Sequence, residues 1–446
     1  MSTAGPAPAS TPPLVAVAPP QTKGPQIGAT QHDAARQSRL LRDALESAKS
    51  RIGFFLGAGC PLGIFDEKGE KSIELIPDVA KLTVRLRQGL ADVDKTLTDE
   101  KTFLPCWDAL AAACVEGGED SPNVEHILTE LRTLTARRSK EPFGKLSKIR
   151  IAALDAQVCD LVVDAVGKSL PKHRCAYHRL ASWIGGLNRT ASIDVFTPNY
   201  DLLMEEAFEH QKIPHFDGFV GSREPFFDIA SIEQDAIPRR WTRLWKLHGS
   251  INWQRRDSGG VFRAQGRAAP GKAMIYPSHL KYDQSRRMPY LAMIDRFRAF
   301  FRTADHARGL SPPVLIVCGY SFADDHLNEV LLDGLRGNPS AQCFALVYGS
   351  LKDAQRAVKY ASEQPNLTVL AWDGAVVGTR SGPYALPSAT AGEHEPWLAT
   401  EVQAVSGSTP EITVTRCLLG DFHYFGLFLE RLYGGRLEHE HGASHV

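Results

Sequence analysis

The sequence predicts an α/β fold built on one mostly parallel sheet, with a helical insertion subdomain. Three observations carry this. From residue 193 onward, short β-rich runs (193–197, 244–248, 314–318, 343–347, 368–371) alternate with helical patterns (289–302, 325–335, 352–360), and such alternation implies crossover units. An earlier β-run at 52–56 is separated from these by a long helical stretch, roughly 79–169. Four of the β-runs end in glycines and short polar side chains, where ligands bind in open α/β sheets.

Each element has its own justification. Residues 1 to about 30, rich in Pro, Ala, Thr and Gln, bury too little surface to offset ordering entropy and are expected to be disordered. A helix is expected at 33–49, with Leu40, Leu41 and Leu45 on one face. Ser121-Pro122 reads as an N-cap and first-turn proline ahead of Val124, Ile127, Leu128 and Leu131 at helical spacing. Residues 149–166 form another periodic helix ending near Gly167. The aromatic-rich run 420–432 reads as a closing helix. The domain reading is therefore a sheet domain over 31–75 and 185–446, with 76–184 inserted as a helical cover over the cleft.

Composition narrows the function classes. Lys+Arg and Asp+Glu are both 51, so no net field draws the chain to nucleic acid or a membrane. Arg255, Arg256, Arg263 and Arg267 read as a solvated loop rather than a nucleic-acid track. The eight cysteines form no C-x-x-C pair, which disfavours a zinc ribbon and a disulfide framework and points to a reducing cytoplasm. No run reaches the length of a membrane span, and Leu14-Val15-Ala16-Val17-Ala18 lacks the basic lead of a signal peptide. No metal is expected. His173, Cys175 and His178 lack a fourth ligand, and Glu438-His439-Glu440-His441 reads as solvated.

The four strand ends carry the chemistry. Gly57-Ala58-Gly59 follows the first strand; it reads either as a phosphate cradle or as a tight turn needing positive φ. Cys60 at that turn is placed where a thiol pKa can fall, yet reads better as a pocket-lining residue than a nucleophile. Pro198 biases Thr197 to an extended conformation, Asn199 presents a carboxamide at the rim, and Asp201 caps a helix over 202–209. His248 precedes Gly249, which leaves space for a ligand, and can accept a proton near neutrality. In the last motif, Ser321 can reach a phosphate or ribose hydroxyl and Asn328 lies on the following helix, while His326 reads as structural.

Together these residues resemble the sirtuin-like (silent information regulator type) superfamily in its bacterial antiphage branch. The resemblance rests on four motifs in order over residues 50–330. They are Gly57-Ala58-Gly59, Asn199-Tyr200-Asp201 with Leu203 and Glu205, Leu247-His248-Gly249-Ser250, and Gly319-Tyr320-Ser321-Phe322 with Asp324, His326 and Asn328. It implies a Rossmann-type NAD-binding domain that hydrolyses NAD to ADP-ribose and nicotinamide, with catalysis falling on Asn199 and His248. Gly57, Ala58, Gly59, Cys60, Thr197, Asp201, Gly249, Gly319, Ser321 and Asn328 are expected to line the NAD pocket. Residues 275–278 and 286–290, with Gly420-Asp421-Phe422, are most similar to the subgroup partnered with a HerA-type hexameric ATPase. Cys60 stands where a serine is common and Pro198 where a threonine is common. Gating by homo-oligomerisation or a partner is expected, since free NAD hydrolysis is toxic. Two other readings stay open: a non-catalytic NAD or ADP-ribose sensor, and an NAD-dependent protein deacylase, against which the missing cysteine pairs speak.

Overall fold

The central strands read Phe54-Phe55-Leu56, Val195-Phe196, Leu244-Trp245 and Leu315-Ile316-Val317, without polar alternation. Strands of that composition are stable only when covered on both faces. The structure, a computed structural model, meets that requirement. It describes residues 30–47, 49–68, 71–97, 102–136, 148–187, 189, 191–256, 260–270, 272–275, 289–302, 311–385, 395–404 and 411–434. The expectations for the tail before residue 30, for the segment 276–288 and for residues 438–441 fall outside these.

The chain begins with α1 (Ala34–Glu46), β1 (Ser50–Leu56) and a small hairpin, β2 (Ile64–Phe65) and β3 (Ser72–Ile73). Then come α2 (Val79–Asp94), α3 (Leu104–Glu116), α4 (Val124–Ala136), α5 (Lys148–Val166) and α6 (Ala176–Gly186). The next stretch holds β4 (Asp194–Thr197), α7 (Leu203–His210), β5 (His215–Phe216), β6 (Phe219–Val220), β7 (Phe226–Phe227) and α8 (Ile229–Glu233). It continues with β8 (Thr242–Lys246), β9 (Gly249–Arg255), β10 (Val261–Arg263), β11 (Ala273–Ile275) and α9 (Tyr290–Phe300). After these lie β12 (Ser311–Cys318), α10 (Asp325–Gly337), β13 (Gln342–Leu346), α11 (Gln355–Glu363), β14 (Leu367–Leu370), β15 (Gly374–Val377) and β16 (Arg380–Pro383). The chain closes with β17 (Leu398–Ala404), β18 (Glu411–Cys417) and α12 (Phe422–Leu432).

The main sheet has the order β16-β15-β14-β13-β12-β1-β4-β8-β5. It is parallel from β14 to β5, and β15 and β16 add an antiparallel edge. Alternate residues of each strand enter opposite cores. Phe54, Val195 and Ile316 face Leu41, Leu180, Phe208 and Phe425 of α1, α6, α7 and α12. Phe55, Phe196, Trp245 and Val317 face Phe297, Leu331 and Ala357 of α9, α10 and α11. The fold is thus a Rossmann-like α/β arrangement with helices on both faces. The strand order turns back on itself between β1 and β12, the crevice at which such sheets bind ligands.

Helices α2 to α5 pack on one another through Leu82, Leu86, Trp107, Leu110, Leu128, Leu131, Leu154 and Val158. Helix α6, placed in the insertion by the sequence reading, instead packs on α7 and α12 in the sheet's own helix layer. Tyr177, Leu180 and Ala181 fix it there, joining the core of β1. The cap of α4 also differs from expectation. Asn123, not Ser121, accepts from the Glu125 and His126 amides at 2.9 and 3.2 Å, because its carboxamide sits directly before the first turn. A second sheet of short strands, β11-β9-β10-β7-β6, was not foreseen.

Candidate functional site

The four motifs meet at one end of one sheet. Leu56 pairs with Cys318 in register, Phe55 with Phe196, and Thr197 with Lys246. Strands β12, β1, β4 and β8 are therefore consecutive neighbours whose carboxyl ends coincide. Asn199 and His248 each stand two residues beyond the register pair Thr197 and Lys246. Adjacent strands lie about 4.8 Å apart, so the amide and the imidazole emerge on neighbouring strand ends.

The turn after β1 works differently from the sequence expectation. The Gly57 amide donates to Cys318 O at 2.9 Å and the Gly59 amide to Gly319 O at 2.8 Å, so neither is a free phosphate donor here. Positive φ is not what makes these positions glycine: Gly59 has φ −76°. The requirement is close approach. A Cβ on Gly57 would lie 2.4 Å from Gly319 O, and one on Gly59 would lie 2.9 Å from Gly319 Cα. Gly319, with φ +63°, does occupy the left-handed region, and its own Cβ would meet Cys60 N at 2.5 Å. Ala58 is half-buried at the tip of this turn. Cys60 is fully buried, and burial first, then Cys318, pushes its thiol pKa well above the usual range. That reverses the expectation of a lowered thiol pKa and supports a packing role.

Thr197, expected in the NAD pocket, is occupied as a brace. Its hydroxyl donates to Leu56 O at 2.7 Å and accepts from the Asn199 amide at 3.1 Å, tying β4 to β1. Asn199 Nδ2 donates to Gly57 O at 3.0 Å, which leaves Oδ1 as the acceptor of the side chain. Asp201 is buried, and its Oδ1 accepts from the Leu203 amide at 3.0 Å. Because α7 begins at Leu203, with Leu202 at the cap position, Asp201, expected as the cap itself, binds from one residue upstream of the observed cap. Burial raises the Asp201 carboxyl pKa, opposed by Lys246, whose Nζ bonds to the Asp201 main-chain oxygen. Lys246 is itself buried and lies 3.3 Å from Glu205 Oε1.

His248 is buried, with Nε2 3.1 Å from Asp324 Oδ2. Its Nδ1 is buried and has no hydrogen-bond partner among the described residues. Gly249 has φ +94° at the start of β9, which sets the chain's exit from the site. Asp324 is the N-cap of α10, where Oδ1 accepts from the His326 and Leu327 amides. The loop that presents it is held by Asn328. Asn328 Nδ2 donates to Phe322 O at 2.9 Å and its Oδ1 accepts from the Tyr320 hydroxyl at 2.8 Å. Phe322 there has φ +56°, a strained position for a non-glycine residue. Asn328 is 1% exposed, so it braces the loop rather than reaching a ligand, and the pocket-lining expectation for it is corrected. Ser321 is exposed on the same loop.

Three residues of this cluster escaped the sequence reading as parts of the site. Asp324 was noted only within its motif. Tyr200 carries a hydroxyl whose pKa is pushed well up by burial and then by Glu125. Glu125, on α4, is a half-buried carboxylate whose pKa is raised by burial first, with His248 opposing the rise and Asp324 adding to it. The signal for Glu125 was its place in the first turn of a helix in the cover subdomain. Nothing in its spacing said where that turn would land.

A separate cavity of about 650 Å³ opens beyond α7, lined by residues such as Leu202, Glu205, Glu209, Asn252, Arg263 and Arg267. Neither Asn199 nor His248 lines it. Among the described residues, no three His, Cys, Asp or Glu side chains group as a metal-holding set. No helix among them is long and apolar enough to cross a membrane.

None of the curated proteins matches the chain by sequence. Among solved structures, it is similar to a Sir2 enzyme studied for mechanism and regulation, at 13% identity and a TM-score of 0.29, over 71% of this chain and 86% of that one. It is also similar to a Sir2 homologue in complex with NAD, at 15% identity and a TM-score of 0.35, over 73% and 88%. A family model described as the SIR2-like domain matches residues 194–370, the stretch that holds Asn199, His248 and Asp324. Residues 194–370 of this chain are thus similar to the SIR2-like domain.

Proposed function

We propose that the protein is an NAD+ glycohydrolase that cleaves NAD+ to ADP-ribose and nicotinamide. The observation that carries this is an orphaned imidazole nitrogen beside an oriented carboxamide. His248 turns Nε2 toward Asp324 and leaves Nδ1 unpartnered, while Asn199 spends Nδ2 on Gly57 O and keeps Oδ1. A sensor has no use for a buried base whose other nitrogen faces a carboxylate.

The chemistry asks little acid help. The nicotinamide nitrogen is cationic while bonded to ribose, so the C1′–N bond breaks with its electron pair leaving on nicotinamide as a neutral amine. This differs from ordinary glycosides, which need an acid for the leaving group. Water then forms the new bond to C1′ and gives its proton to His248 Nδ1. Asp324 faces the resulting imidazolium, and Asn199 Oδ1 orients the water or the nicotinamide ribose. General-base assistance of this kind contributes about 10²–10⁴-fold, with positioning and electrostatics supplying the remainder.

The match of residues 194–370 to the SIR2-like domain and the resemblance of the motifs support a role in depleting NAD during antiphage defence, gated by self-association or by a partner ATPase. The test is nicotinamide release by the full chain, alone and with a HerA-type ATPase, compared with Asn199→Ala and His248→Ala variants shown to be folded. Release that is unchanged in both variants would falsify the assignment. Formation of acyl-ADP-ribose from an acyl-lysine peptide would favour the deacylase instead.

A further inference from the structure

The cavity beyond α7 is lined by neither Asn199 nor His248, and its wall carries buried acceptors that no donor meets. Asn252, on β9, lines it and is only 8% exposed, yet its carboxamide Oδ1 has no hydrogen-bond partner among the described residues. The residue is held in place by its main chain, whose oxygen accepts from the Ala264 amide at 2.7 Å. Glu205, on α7, lines the same cavity. Its Oε1 lies 3.3 Å from Lys246 Nζ, while its buried Oε2 is likewise without a partner among the described residues. Glu206 and Glu209 add two more carboxylates from the same helix. The lining arginines do not answer them. Arg263 is paired with Asp217, and Arg267 Nη1 lies 3.3 Å from Asp164 Oδ1, and neither aspartate lines the cavity. Lys168 is the remaining lysine or arginine of the lining, which leaves carboxylates in excess.

We propose that this cavity binds a small organic cation of the guanidinium or alkylammonium class, whose N–H groups donate to Asn252 Oδ1 and Glu205 Oε2 while Glu206 and Glu209 supply further negative charge. Buried polar atoms in folded proteins are nearly all hydrogen-bonded, so two orphaned acceptors on one cavity wall call for a donor from outside the chain. A volume of about 650 Å³ is that of a small-molecule site. A metal ion does not suit it, since no three His, Cys, Asp or Glu side chains among the described residues group to hold one. An anion would meet the carboxylates at a cost, which also sets this cavity apart from any pocket for the NAD pyrophosphate. A cation with several donors satisfies both orphans, and charge-assisted hydrogen bonds to a carboxylate are about twice as strong as neutral ones. The site stands whether or not the chain cleaves NAD+.

Calorimetric titration of the full chain with agmatine, which carries both a guanidinium and an ammonium group, tests this. Agmatine should bind at one site with Kd below about 1 mM. Asn252→Leu, which keeps the side chain's size and removes the acceptor, should weaken binding about tenfold or more. Glu209 is exposed, so Glu209→Gln leaves the fold intact and should weaken binding about two- to fivefold. No saturable binding of agmatine at about ten times the expected Kd overturns the proposal. Equal affinity in wild type and both variants overturns it too, because the ligand would then sit elsewhere. Should Asn252→Leu fail to fold, Glu209→Gln alone decides in the same way. Inorganic phosphate is the contrasting probe, and phosphate binding tighter than agmatine overturns the ligand class. A second measurement needs no variant: agmatine should slow hydrogen exchange of the amides at 264–268, and unchanged exchange there overturns the location.

Discussion

His248 Nε2 stands 3.1 Å from Asp324 Oδ2, so the imidazole faces a carboxylate whose other oxygen caps a helix. The two jobs can be separated. Asparagine caps helices about as well as aspartate, whereas alanine costs about 1 kcal/mol. Asp324→Asn should therefore keep its thermal stability within about 1 kcal/mol of wild type. Its nicotinamide release should still fall about 10–100-fold, because the charge facing the imidazolium is gone. Equal turnover in Asp324→Asn and wild type would remove the carboxylate from the mechanism.

Gly319 should be intolerant of any side chain. A Cβ would lie 2.5 Å from Cys60 N in a backbone with φ +63°. Both the clash and the left-handed conformation act against alanine, and together they should cost about 2–4 kcal/mol. Denaturant melts of Gly319→Ala should register this. Gly266, also at positive φ (+76°) but with nothing near its Cβ position, serves as the control and should lose less.

Lys246 is a buried cation held by Glu205 and the Asp201 carbonyl. Lys246→Met strands the buried Glu205 carboxylate and the Asp201 carbonyl and should cost about 3–5 kcal/mol. Burial raises the pKa of Glu205 and Asp201, and Lys246 opposes the rise. Carboxyls with raised folded-state pKa penalise the fold only as pH climbs past the unfolded value, so the variant should be closest to wild type under mildly acidic conditions. The Lys246→Met/Glu205→Gln double variant should recover part of the loss in urea melts at neutral pH.

Burial, then His210 alongside, holds His178 down to about 4 from the ordinary value of 6.5. A histidine with a depressed folded-state pKa binds more protons when unfolded. Its contribution is complete above the unfolded value and is lost as pH falls from there toward 4. Between neutrality and about pH 5, His178→Gln should lose about 1–2 kcal/mol less stability than wild type. Parallel urea-midpoint curves for the two proteins would contradict this.

Much of the scaffold was legible because its signals are local. The strand runs ending at Leu56, Thr197, Lys246 and Cys318 are continuous apolar segments stopped by glycine, proline or short polar residues, and the structure aligns all four. Legibility failed where a residue's role depends on what packs against it. Asn328 lay on the expected helix, but its amide was already committed to the Tyr320–Phe322 loop. Thr197 faced the strand end, but its hydroxyl was bound to Leu56 O. The glycines of the β1 turn were read through φ and phosphate approach, whereas the decisive contact is with a backbone 260 residues away in the chain. Short strands such as β6 and β7, two residues each, carry no periodicity to read.

The backbones of Gly57, Gly59 and Gly319 meet with no side chain between them. Two loops in such contact, cross-tied by backbone hydrogen bonds from Gly57 to Cys318 and from Gly59 to Gly319, act as one pin that locks the two halves of the sheet together. Any ligand that reaches this strand end therefore meets a rim that does not part between β1 and β12.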